Sequence, residues 1–214
     1  MRTKHYITLI ILIFLLCGTV CVTASEFLDD NSSVKVNKIS AQEIRKIEKL
    51  ADKYFYDGIE SEDYNTKEAY LSRALEKYML LLKLKPDDVT ICTQIAVIHD
   101  NLNHTSLARD YFIRAVNLEN LNPFANFYYG EYYFAKRDYQ NALNYYLTAY
   151  NNGYKNSFPV NLKLATVYEK LGDIEKARNF YKAAEKQNPA QKGLSAKIKS
   201  MEKIYYSKSD YNRN

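Results

Sequence analysis

The 214-residue chain is predicted to be all-α and assembled from repeated helix pairs, and three observations carry that expectation. Six Gly and four Pro are too few to punctuate a sandwich or barrel of many short strands. Ala74, Ala108, Ala142 and Ala177 recur at intervals of 34, 34 and 35 residues. Each is followed four residues later by an aromatic, Tyr78, Phe112, Tyr146 and Tyr181, which places both on one face of a helix. A charged fraction of 26% beside 47% apolar residues fits a water-soluble globule and excludes disorder throughout. The chain has no Trp and 21 Tyr, beside much Asn, Lys and Ile. A+T-rich coding produces such a bias as easily as selection for function does, so it carries little weight.

Residues 1–24 read as a signal peptide or N-terminal anchor. Arg2 and Lys4 precede the uncharged run from Tyr6 to Ser25, and Val22-Thr23-Ala24 offers the small residues that signal peptidase reads. Cleavage after Ala24 is the expectation. The alternative is an uncleaved anchor, with membrane anchorage through residues 6–25, since about twenty uncharged residues span a bilayer. Cys17 and Cys21 both lack the small residue that precedes a lipidated cysteine in bacterial lipoprotein signals. Either way the remainder is expected to be exported: periplasmic, secreted or held on the extracytoplasmic side of a membrane. After cleavage Cys92 is the sole thiol, so packing and not a disulfide holds the domain. Losing Arg2 and Lys4 takes the formal charge from +5 to +3, with no dense basic stripe, and no nucleic-acid partner is expected.

Residues 25–39 are expected to be a flexible linker. Ser40-Ala41-Gln42-Glu43 has the pattern of a capping box and starts the first helix at Ala41. The repeats then run over 40–189, divided at about 40–86, 88–122, 123–156 and 158–189. A second small column, Ala51, Ala96, Gly130 and Ala165, is followed three residues on by Tyr54, His99, Tyr133 and Tyr168. The two columns are 23 residues apart in the first repeat and 12 apart in the later ones, so about eleven residues near Asp57–Thr66 are expected to loop out. Past Pro189, Leu194, Ile198, Met201 and Tyr205 keep helical spacing, which predicts a capping helix over 190–206 that covers the last apolar face. Residues 207–214 read as a polar tail.

These columns resemble the tetratricopeptide repeat, whose pattern is Leu-Gly-x-x-Tyr on a first helix, then Ala-x-x-x-Phe and a late Pro on a second. The nearest copy is Leu164-Ala165-x-x-Tyr168, Gly172-Asp173, Ala177-x-x-x-Tyr181, Ala184 and Pro189. The slot that is often Trp in the family holds Cys92, Asn126 and Asn161, which reads as ordinary drift. The resemblance implies a right-handed α-solenoid of about four helix pairs, whose first helices line a concave groove that binds an extended or helical peptide. Carried over by position, the groove holds Thr93, Gln94, Val97 and Asp100 in the second repeat and Leu162, Lys163, Thr166 and Glu169 in the fourth. In the third it holds Phe124, Phe127, Tyr128, Glu131 and Phe134. Those rings are either anchors for a partner or packing against neighbouring helices, and the sequence weighs the two evenly. Only Lys49 and Lys163 fall where some cytosolic members clamp an acidic C-terminus, which argues against a co-chaperone.

No Gly-rich phosphate loop, Cys-x-x-Cys, His-Glu-x-x-His or Gly-x-Ser-x-Gly occurs, so neither a catalytic residue nor a cofactor is expected. His99 and His104 are five residues apart, not the four that align two imidazoles on a helix for a metal, and no metal site is expected. The leading expectation is a non-enzymatic interaction scaffold with a protein or peptide partner, set in the assembly of an envelope complex. The alternatives are a self-associating module that forms a homo-oligomer and capture of a glycan or amphiphile on the Tyr-rich groove.

Overall fold

The computed structural model describes residues 39–211, and among them there is no strand. The signal or anchor segment, the linker up to residue 38 and residues 212–214 lie outside the described residues. Contacts divide the chain at Ile44/Arg45. Of the first unit only the start of a helix is described, and there the capping box forms: Ser40 N–H donates to the Glu43 carboxylate at 2.8 Å and Glu43 N–H to Ser40 Oγ at 3.2 Å. The second unit is an all-α solenoid of helix pairs. In chain order the helices are α1 (Ala41–Glu60), α2 (Tyr64–Leu84), α3 (Val89–Asn101), α4 (Thr105–Leu118), α5 (Pro123–Ala135), α6 (Tyr139–Ala149), α7 (Phe158–Lys170), α8 (Ile174–Gln187) and α9 (Leu194–Tyr211).

Local chemistry sets each boundary. Asp63, Asp88, Asn122, Asp138 and Asp173 cap α2, α3, α5, α6 and α8, each accepting from the backbone N–H three residues on. The turn inside the second, third and fourth pairs repeats one geometry. Asn103 (φ 61°), Arg137 (φ 61°) and Gly172 (φ 83°) occupy the same left-handed slot. The N–H of the next residue then reaches back to His99, Tyr133 or Tyr168 C=O at 2.8–3.0 Å. Glycine takes that slot without strain, and Arg137 costs about 1–2 kcal/mol there.

The first pair differs from the expectation. The extra residues do not loop out: α1 and α2 are 20 and 21 residues long, against 13 and 14 for α3 and α4, and only Ser61–Asp63 connect them. The added turns bury their own apolar face through Phe55, Gly58 and Leu71, which makes extension better than a loop. At Gly58 an added Cβ would lie 2.7 Å from Leu71, so the side-chain-free residue in mid-helix lets α2 close in. The terminal helix covers α8 with Leu194, Ile198 and Met201, all buried, and stays helical to Tyr211, past the expected start of the tail.

The core follows the small columns. Ala51, Ala74, Ala96, Ala108, Ala142, Ala165 and Ala177 expose no surface, and Tyr78, Phe112 and Tyr146 are at 2% or less. In two of the repeats the residue in the Trp-type slot has a specific structural role. Asn126 donates its amide to Asn120 C=O (2.9 Å) and Asn122 C=O (2.8 Å), and Asn161 repeats this with Lys155 and Ser157 (both 2.9 Å). Each buried amide ties down the loop that enters its own repeat. Cys92 cannot do the same, and the Pro86 carbonyl at that loop takes Arg114 instead, at 2.6 Å.

Gly130 gives the sharpest test of the crossing. In mid-helix Gly→Ala ordinarily gains about 1 kcal/mol, but here the new Cβ would lie 2.6 Å from two atoms of the buried Tyr146 ring. Gly130→Ala is expected to lower stability by about 1–3 kcal/mol, read as a fall in thermal midpoint; a rise would show that α5 and α6 are not this close.

Candidate functional site: the first-helix wall

Within the second unit, α1, α3, α5, α7 and α9 lie side by side and are linked by polar pairs. Gln94 Nε2 on α3 approaches Asp52 on α1 at 3.4 Å. Lys136 at the end of α5 meets Asp100 on α3 at 3.3 Å, Lys163 on α7 meets Glu131 on α5 at 2.5 Å, and Lys197 on α9 meets Glu169 on α7 at 2.5 Å. Half-exposed pairs of this kind contribute at most about 1 kcal/mol each, so they set register more than they stabilise.

A second set of bonds runs from the core to this wall. The phenols of the second-helix column reach across the helix pair: Tyr78 donates to Asp52 at 2.6 Å, Tyr146 to Glu131, and Tyr181 to Glu169 at 2.8 Å. Burial first, then the facing carboxylate, pushes Tyr78 and Tyr146 far above the ordinary phenol range. Tyr181 is pushed up to about 12, chiefly by burial. All three therefore stay protonated and donate. Burial alone would raise the Glu169 carboxyl, but the Lys197 ammonium and the Tyr181 hydroxyl outweigh it and hold the group below its ordinary value of 4.5.

Among the described residues, three hollows open along this wall. The largest of them, about 410 Å3, is lined by Glu48, Asp52 and Tyr56 of α1, by Asp88, Thr90, Ile91 and Gln94 around the start of α3, and by Phe124 of α5. A second, about 270 Å3, lies between Ile59, Val97, Asp100, Tyr128 and Glu131. The third, about 230 Å3, is bounded by Phe124, Phe127, Tyr128, Tyr154 and Pro159. Phe124 is shared by the first and third, and Tyr128 by the second and third, so the three are contiguous.

Of the groove residues expected from the sequence, Gln94, Val97, Asp100, Phe124, Phe127, Tyr128 and Glu131 line these hollows. Thr93 has no exposed surface and donates its hydroxyl to Val89 C=O at 2.7 Å, so it packs. Phe127 and Phe134 both rest on the core cluster of the third and fourth repeats, and Phe134 also carries the Lys163 ammonium 5.1 Å above its ring. The four positions expected in the fourth repeat line none of these hollows: Leu162 packs on the same cluster, Thr166 turns its hydroxyl to Leu162 C=O at 2.8 Å, and Lys163 and Glu169 are taken by their partners. Glu48, Asp52 and Tyr56 lie in the irregular first repeat, and Asp88 is the cap before the first helix of the second, outside the positions carried over from the repeat pattern. Asp52 follows Ala51 just as Glu131 follows Gly130, and that signal was available.

Chemistry is sparse elsewhere. His99 is buried, stacks on Tyr111 at 5.7 Å and lies 3.3 Å, Nδ1 to Nδ1, from His104; burial and then the neighbouring imidazole lower its basicity. Burial pushes the Cys92 thiol up, which leaves it unreactive. Among the described residues no group of three or more His, Cys, Asp or Glu is placed to hold a metal, and no helix is long and apolar enough to cross a membrane.

The tetratricopeptide repeat family model matches residues 158–191. No curated protein matches the chain. Among solved structures it is similar to a MamA RS-1 double mutant (TM-score 0.58, 14% identity, 74% of this chain and 82% of that one). It is also similar to Pseudomonas aeruginosa pilF (0.57, 16%, 78% and 72%). A third is YrrB, a tetratricopeptide-repeat protein with an unusual peptide-binding site (0.52, 18%, 65% and 70%). The helix pairs thus have the tetratricopeptide-repeat fold.

The lowered Glu169 carboxyl has a definite pH signature. Its contribution is complete above the ordinary value of 4.5 and is lost as pH falls through the lower folded value, because the unfolded chain takes up the proton first. Glu169→Gln is expected to flatten the decline in urea midpoint below pH 4.5, and an unchanged slope would remove Glu169 from the account.

Proposed function

We propose that this chain, having the tetratricopeptide-repeat fold, is an exported, non-enzymatic scaffold that holds a segment of a partner protein along its first-helix wall. The observation that carries the reading is the run of three contiguous hollows joined by Phe124 and Tyr128. A ring between two hollows can contact successive side chains of one bound segment, and rigid aromatics bury much area at little entropic cost. The peptide-binding site of the similar YrrB supports a peptide-like ligand. Assembly of an envelope complex is the setting that the export-type segment at residues 1–24 suggests.

Two measurements test the two halves of this reading. A photo-reactive amino acid in place of Phe124 is expected to cross-link a partner in the native cell. The same group in place of Ile113, 40% exposed on the second-helix side, is expected not to. Equal capture at both positions would sink the wall as the binding surface. Mass spectrometry of the protein from its native host is expected to find Ser25 at the N-terminus; a protein that begins at residue 1 and fractionates with the cytosol would sink export.

A further inference from the structure

The chain as a whole is basic, with a formal charge of +5, yet the two larger hollows are lined by five carboxylates and no Lys, Arg or His. Glu48 and Asp52 come from α1, Asp88 and Asp100 from the two ends of α3, and Glu131 from α5. Three of them are partly neutralised from the side, Glu48 by Lys85 at 2.6 Å, Asp100 by Lys136 and Glu131 by Lys163. Asp52 and Asp88, both in the 410 Å3 hollow, stand in no ion pair within 4 Å among the described residues, although the Lys85 ammonium bound to Glu48 also acts on Asp88 from farther off. Their bonds come from neutral donors: the Tyr78 hydroxyl and Gln94 amide for Asp52, and the Ile91 N–H for Asp88.

Three further residues of that lining, Gln94, Tyr56 and Phe124, have the same preference. Gln94 is 8% exposed, spends its amide nitrogen on Asp52 and has no donor to its carbonyl oxygen among the described residues. Tyr56, 57% exposed, and Phe124 add aromatic rings to the lining, and the face of such a ring attracts a guanidinium or ammonium. The third hollow contains no charged residue and is walled by Phe124, Phe127, Tyr128, Tyr154 and Pro159, so it takes an apolar side chain.

Resting on the wall as the binding surface, we propose that the ligand is a cationic protein segment, whose Arg or Lys side chains enter the hollow of Asp52 and Asp88 and whose neighbouring large apolar side chain fills the hollow behind Phe124. An acidic segment meets two unpaired carboxylates and no free cation there, and like charges brought together at an interface are strongly disfavoured. The attraction is moderated by water and salt, since the hollows are open.

The test uses the full chain and three pools of fluorescent peptides of about ten residues, of the length that docks in a groove. Each has one Phe or Leu and a neutral background, with Arg/Lys, Gln or Glu at three further positions. Anisotropy is expected to show the Arg/Lys pool bound about tenfold or more tighter than the Glu pool, and weakened as salt rises from about 50 to about 500 mM. Asp52→Asn with Asp88→Asn keeps the acceptor for Tyr78 and the cap of α3, so the protein stays folded while losing about tenfold or more for the Arg/Lys pool. Equal binding of the three pools, or an undiminished double variant, overturns the cationic assignment and leaves the wall as a binding surface. If no pool binds at about 1 mM while the group at position 124 still captures a partner, the cationic assignment again fails alone. If both fail, the wall itself is excluded.

Discussion

At Gly130 the helices of the third pair cross so closely that one extra carbon would enter the Tyr146 ring, and the rest of the structure depends on closeness of this kind. A glycine in mid-helix costs about 1 kcal/mol relative to alanine, which full burial of a large side chain offsets at about 1.5–3 kcal/mol. The same arrangement recurs with alanine at 51, 96 and 165, each without exposed surface. Because the pair is thin at this point, an aromatic on the second helix reaches through to the far side of the first. Its ring fills the crossing, and its hydroxyl, where it has one, emerges among the carboxylates of the wall. Core and candidate site are therefore the two ends of the same side chains.

What was legible in the sequence follows from this constraint. Small residues are required at the crossing and aromatics beside it, so the 34-residue columns and the capping residues survive as a readable pattern. The first pair was misread because its two columns are too far apart. Spacing reports an insertion but does not say whether the inserted residues loop or extend both helices, and Phe55, Gly58 and Leu71 decide for extension by packing on one another. The Asn residues in the Trp-type slot were misread for a different reason. An amide there is recognisable only from what it holds, the two carbonyls of the entering loop, and a single sequence prints no partner for it.

The wall was legible in part. Position on a first helix nominates side chains for the outer side of the pair, but it does not say which of them the fold covers, and Thr93 has no exposed surface. In the fourth repeat the next helix is α9, and it engages Glu169 through Lys197. In the third it is α7, which brings Lys163 to Glu131 and over Phe134. The two larger hollows lie toward the first repeat, where the added turns of α1 bring Tyr56 and Ile59 into their linings. The insertion that obscured the repeat in the sequence thus contributes directly to the surface on which function is proposed.

Tyrosine content bears on the same point. As a composition it is a bias that A+T-rich coding produces as easily as selection does, but at one column the choice between Tyr and Phe tracks the helix opposite. The residue that follows the small column is Asp52 or Glu131 where the second helix carries Tyr78 or Tyr146, and it is Val97 where the second helix carries Phe112. In the fourth repeat that place is Thr166, 3.5 Å from the Tyr181 hydroxyl, and the acceptor moves one turn on to Glu169 at 2.8 Å. Coding bias acts on codons without regard to what lies across a helix pair, whereas a buried phenol without an acceptor costs about 1–3 kcal/mol. At these four positions hydrogen-bond satisfaction is therefore the sufficient account of where hydroxyls occur. It also assigns the wall carboxylates two roles: Asp52 and Glu131 hold the core from outside and at the same time give the hollows their negative charge.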